Sequence, residues 1–359
     1  MVFRVGDVVV IRSKREILAT LDEKGQLDGL PFMPQMFQYC GKRYRVHKSA
    51  HKTCDTVFPV RGRKLADVVH LDIRCDGEAY GGCQAGCLIF WKTAWLKRGG
   101  EGGDKRKPDA TRGCTEKNVW DGRIRDGHEN TNTVAYACQA TQLPYFTSEL
   151  NPWDIRQYIE DYRSGNVGIW RLIKGFIYSS YYRLSMAGIG LGPMMRWFYD
   201  TFHPLWRGTP WPRKTGAIAL GTRTPKLDAP LNLQPGELVR VKSHEEILKT
   251  LNVENKNQGL YFDGEMVPFC GRTFRVLKRV DKILDEKTGK MMTMKTPSIV
   301  LEGAVCESRY SNCRMFCPRA IYSYWREVWL ERVSESRANA KASLETKALA
   351  EKRSEVLAN

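Results

Sequence analysis

The stretch GDVVVIRSKREILATLD, residues 6–22, is answered 230 positions later by GELVRVKSHEEILKTLN, residues 236–252. The correspondence runs on without a gap to residues 55 and 285, and within it GLPFMPQMFQYCGKRYRV (29–46) faces GLYFDGEMVPFCGRTFRV (259–276). Matches this dense are not attributable to chance, and the period is far too long for a solenoid repeat. The chain reads as two copies of one domain-sized module, over residues 5–98 and 235–332.

Local chemistry predicts the same elements in both copies. The β-branched run Val8 to Ile11 reads as a strand. It stops at Ser13, and Glu16 follows three residues later, as Glu246 follows Ser243. In that spacing the hydroxyl takes a free backbone N–H while the carboxylate reaches back, so a short helix starts at each serine. Further strands are expected at Tyr44–Lys48 and Val68–Ile73, with counterparts at Phe274–Lys278 and Ser298–Leu301. The aromatic segments Phe90–Leu96 and Ile321–Leu330 have helical spacing and are read as a closing helix. The opening G-D/E-x-V pattern at Gly6 and Gly236 resembles SH3-like small β-barrels, which implies a compact, mainly β module. The expected class is α+β: two duplicated SH3-like modules, each closed by a C-terminal helix, flanking a helical central segment.

Residues 99–151 are a linker and irregular region, Gly- and Lys-rich at first. Residues 152–211 are the helical segment: Pro152 precedes an amphipathic run that Gly165 ends, and a long apolar and aromatic stretch follows, broken near Gly188–Pro193. Its aromatics alternate with Arg171, Lys174, Arg183 and Arg196, a mixture that suits a common core between the modules, an interfacial helix at an anionic membrane, or the wall of a ligand channel. Residues 212–234 form a second linker. Residues 333–359, rich in Ala, Glu and Lys, are a charged helical or disordered tail.

A net charge of +17 favours anionic partners: nucleic acid, a membrane surface or an acidic substrate. No run is long and apolar enough for a membrane span, and the N-terminus lacks the pattern of a secretory signal. A cytoplasmic protein, with peripheral membrane attachment as the variant, is therefore expected. In that compartment thiols serve as metal ligands, redox groups or core residues more often than as disulfides.

Eight of the eleven cysteines are paired by the repeat. Cys40, Cys75, Cys83 and Cys87 match Cys270, Cys306, Cys313 and Cys317, and the last three of each set are spaced C-x7-C-x3-C and C-x6-C-x3-C. Four thiolates satisfy one tetrahedral zinc or one iron–sulfur cluster. Glycine directly after Cys40 and Cys270 permits a tight turn around a ligand. Metal ligation by both sets is the leading expectation, with Zn2+ and an Fe–S cluster both open. Buried apolar thiols and thiol redox chemistry are the alternatives.

The first copy alone carries Cys54, His47, His51 and His70, so a reactive site is placed there. Cys54, His70 and Cys138, the last within CQATQLPYFTS, are the candidate catalytic residues. Cys138 and Cys114 are alternatively joined with Cys54 in a third metal site. No phosphate-binding loop, dinucleotide fingerprint, H-E-x-x-H or G-x-S-x-G occurs. The remaining classes are a metal-binding enzyme or accessory factor in a biosynthetic pathway, a nucleic-acid-binding zinc protein, and a membrane-associated scaffold.

Overall fold

The structure, a computed structural model, describes residues 3–58, 61–99, 113–125, 134–188, 190–206, 208–311 and 313–333. The expected tail and most of the Gly-rich linker lie outside these residues. The described chain is α+β and divides into two units. The first comprises residues 1–208, 280–295 and 305–322; the second comprises 209–279, 296–304 and 323–359.

In the first unit the strand Val8–Ile11 lies between Leu96–Arg98 and Arg43–Arg45, antiparallel to both, with Val9 opposite Arg98 and Val8 opposite Arg45. Alternation along it turns Val9 and Ile11 into the core. Helix α1 (Lys14–Leu18) starts where Ser13 accepts from the Glu16 N–H at 3.4 Å, while Glu16 accepts from the Ser13 N–H at 2.8 Å. A second sheet sets Lys48–Ser49 against Val68–Arg74 and then Leu88–Lys92, with an irregularity between His70 and Arg74. A third joins Lys52–Cys54, Gly62–Lys64 and Ser148–Leu150. Phe32, Trp91 and Trp95 fill the middle; Phe32 meets Trp95 edge to face at 5.2 Å, and the Trp95 indole donates to Thr20 Oγ1 at 3.1 Å.

Short helices α2 (Glu116–Asp121) and α3 (Leu143–Phe146) precede a helical stretch of α4 (Arg156–Arg163), α5 (Ile169–Ser185) and α6 (Gly192–Phe202). Gly165, at φ 79°, takes the left-handed conformation just beyond α4.

The second unit sets Leu238–Val241 between Leu330–Arg332 and the start of Thr273–Leu284. Leu238 faces Arg275 and Val239 faces Arg332. Helix α7 (His244–Leu248) has its own Ser243–Glu246 cap. Phe262 meets Trp329 at 5.4 Å, and the Trp329 indole donates to Thr250 at 2.9 Å, the same contacts that Phe32, Trp95 and Thr20 make in the first unit.

One expectation is corrected. No helix closes either copy: Leu88–Lys92 and Tyr322–Trp325 are strands, each followed by a 3-10 turn (Thr93–Trp95, Glu327–Trp329) and a short final strand. Every residue of Leu88–Lys92 is buried, so the alternation that marks a strand is erased from the sequence. The i, i+4 spacing of Trp91 and Trp95 comes from the turn, which folds the second indole back onto the core that the first already occupies.

Candidate four-thiol site

Four cysteines of the first unit line one apolar cavity of about 40 Å³: Cys75, Cys83, Cys87 and Cys138. Cys75 directly follows the strand Val68–Arg74, and Cys87 directly precedes Leu88–Lys92, whose pairing fixes both ends of the intervening loop. The Cys75 N–H donates to the Cys87 carbonyl at 2.9 Å. Within that loop Gly77 has φ 79°, and a Cβ there would lie 1.8 Å from the Cys83 carbonyl oxygen. Only glycine lets the chain pass so close and deliver Cys83 to the same space. Cys138 arrives from the turn preceding α3, where Gln139 is buried and bridges Phe90 and Pro31 through its amide.

Hydrogen-bond donors point at the sulfurs. Gln35 Nε2 donates to Cys75 Sγ at 3.0 Å and the Leu284 N–H to Cys83 Sγ at 3.3 Å. The Gly77 N–H also reaches the Cys75 thiol, and the Thr141 and Ala140 N–H groups reach that of Cys138. Burial nevertheless dominates. It pushes Cys75 far up and Cys87 up to about 12, and it raises Cys138. The thiols add to one another's shifts: Cys87 and Cys138 act on Cys75, Cys138 and Cys83 on Cys87, and Cys83 on Cys138. Cys75, Cys87 and Cys138 therefore stay protonated unless a cation draws their sulfurs together.

One buried cation borders the cavity. Arg319, 2% exposed, holds Glu286 through Nη2 at 2.9 and 3.0 Å, and its Nη1 donates to Thr56 Oγ1 at 3.2 Å and the Cys54 carbonyl at 3.4 Å. Glu286 also accepts from the Thr56 hydroxyl. Nη1 lies 4.0 Å from Cys54 Sγ. Cys54 forms a separate thiol pair with Cys317: its N–H donates to Cys317 Sγ at 3.1 Å, and the two thiols hydrogen-bond. The proton donated by Cys317 pulls Cys54 down to about 6, against the opposing effect of burial and with help from Arg319, while Cys317 is pushed well up.

The other expected residues fall as follows. Cys40 ends the 3-10 turn Pro34–Tyr39, half-buried, raised by burial and facing the charge of Lys14. It does not line the cavity; Cys138 stands in its place. Of the second set, Cys270 belongs to the second unit, 3.9 Å from the Met266 carbonyl, whereas Cys306, Cys313 and Cys317 belong to the first. Cys306 lies 3.6 Å from Ser308 Oγ. Among the described residues, no three His, Cys, Asp or Glu side chains are arranged to hold a metal ion as they stand. His70 is fully buried, its Nδ1 2.9 Å from the Ile89 carbonyl and its ring 4.6 Å from Phe90. Burial holds it down to about 3, so it is neutral, and it does not line the cavity. His51 lies 3.3 Å from Asp161, which also takes the buried Lys52 at 2.6 Å and so anchors the strand bearing Cys54.

Sequence reasoning passed over Arg319 and Glu286. Neither belongs to a recognisable motif, and they meet across more than thirty residues of chain. No protein-family model matches this sequence, and none of the curated proteins matches it.

Proposed function

We propose that this chain is a metal-binding protein whose centre is held by Cys75, Cys83, Cys87 and Cys138. The observation that carries the reading is the convergence of four thiols from two separate segments on one small apolar cavity, with N–H donors aimed at their sulfurs. Four thiolates are the donor set of structural zinc and of iron–sulfur clusters alike. Donors beside the sulfurs orient such ligands and offset their charge. Burial keeps Cys75, Cys87 and Cys138 neutral until metal arrives, so loading displaces protons and tightens as pH rises. Arg319 partly offsets the negative charge that a four-thiolate centre carries. The metal, once bound, supplies either a rigid cross-link or an electron-transfer group to an enzyme or enzyme partner. The matching registers and Phe–Trp–Thr contacts of the two copies support reading them as duplicated SH3-like modules.

The test is purification without oxygen, followed by elemental analysis and an absorption spectrum. Iron with sulfide and a brown colour identifies a cluster, and colourless protein with about one zinc per chain identifies zinc. Metal-free protein overturns the proposal. Cys138→Ser is expected to abolish loading while Cys40→Ser leaves it intact. The reverse pattern would return the fourth ligand to Cys40.

A further inference from the structure

Helices α5 and α6 turn an unusual amount of apolar surface to solvent. On α5 the stripe Leu172, Gly175 and Ser179 is buried, and a Cβ at Gly175 would lie 2.4 Å from the Phe316 ring, so that face is tightly packed. The opposite stripe, Trp170, Ile173, Ile177 and Leu184, follows the same period and is open: Trp170 is 74% exposed and Ile177 64%. Helix α6 adds Met194, Trp197 and Phe198, with Trp197 64% exposed, and Leu205 beyond it is 79% exposed. The inner side of this helix pair is occupied, with Tyr178 against Tyr199 and the Tyr181 hydroxyl on the Met195 carbonyl. The outer stripes are thus surplus to the packing of the unit, and soluble surfaces seldom leave so many large apolar side chains side by side.

Charge identifies the occupant. Helices α5 and α6 carry Arg171, Lys174, Arg183 and Arg196 against a single acid, Asp200. Lys174 and Arg196 are exposed among the apolar stripes, one beside Ile173 and the other beside Trp197. A second copy of this chain would set these cations against themselves across a two-fold axis. A protein partner's interface core is normally depleted of charge. Indole rings interleaved with long cationic side chains fit a bilayer surface, where rings sink to headgroup depth and the cations reach anionic lipid. No described helix is long and apolar enough to cross a membrane, which leaves attachment in the plane of the surface. We propose that the α5–α6 face docks on an anionic lipid surface, a function independent of the four-thiol centre.

Vesicle co-sedimentation of the full chain tests this, comparing phosphatidylcholine alone with phosphatidylcholine containing about one third phosphatidylglycerol. The expected result is pelleting with the anionic vesicles, accompanied by a blue shift of tryptophan emission. Binding should fall on the order of tenfold in Trp170→Glu/Trp197→Glu and again in Lys174→Glu/Arg196→Glu, with unchanged thermal melts because all four side chains are exposed. Wild-type protein that remains in the supernatant with anionic vesicles overturns the proposal. So does binding by both variants at the wild-type level. A lipid-free dimer in sedimentation equilibrium that the double tryptophan variant dissolves overturns it in favour of a second copy.

Discussion

His70 makes the acid stability of the first unit predictable. Its imidazole is fully buried, and in the neutral ring Nδ1 carries the proton it donates to the Ile89 carbonyl at 2.9 Å. Burial lowers its pKa from 6.5 to about 3. As pH falls below 6.5 the unfolded chain takes up a proton that the folded chain refuses, so stability is lost through that window and not above it. With these two values, His70 alone costs almost nothing at neutral pH and about 3 kcal/mol at about pH 4. Replacing it with asparagine keeps a donor near the Ile89 carbonyl and removes the titration. Urea unfolding of wild type and His70→Asn, followed by tryptophan fluorescence between about pH 7 and about pH 4, isolates the effect, because every other titrating group is common to both. The variant should start less stable through lost packing on Phe90, then lose about 3 kcal/mol less on acidification. Parallel curves for the two proteins would refute the burial argument and restore His70 as a group able to exchange protons.

Two further substitutions probe the supports of the site. Asp161→Asn leaves the Lys52 ammonium, 3% exposed, without its carboxylate, and should cost about 3–5 kcal/mol in chemical denaturation. Replacing both partners with apolar residues should recover most of that loss, and a cost below about 1 kcal/mol for the single change would show that water reaches the pair. Gly77→Ala drives a Cβ to 1.8 Å from the Cys83 carbonyl at a φ of 79°, so it should cost about 3 kcal/mol or more and abolish loading of the proposed metal centre. Gly6→Ala, at φ 92° with nothing within 4 Å, bears the backbone strain alone and should cost about 1 kcal/mol with metal content unchanged. Equal losses in the two alanine variants would mean that the close approach at Gly77 does not shape the site.

Elements whose partners are near in the chain are legible in the residues themselves. Ser13 with Glu16 and Ser243 with Glu246 cap their helices because hydroxyl and N–H lie three residues apart, within reach of the backbone alone. The strands Val8–Ile11 and Leu238–Val241 followed from their β-branched residues. Where burial is complete on both faces, as at Leu88–Lys92, the pattern vanished and a strand was read as helix. The cysteines show the other limit. Repetition paired Cys40 with Cys75, Cys83 and Cys87, yet the cavity takes Cys138, from a segment outside either copy. Likewise Cys317 meets Cys54, 263 residues away, and Arg319 meets Glu286. A thiol has no periodicity and little local preference, so its neighbours are set by how distant loops close on one another in the folded chain.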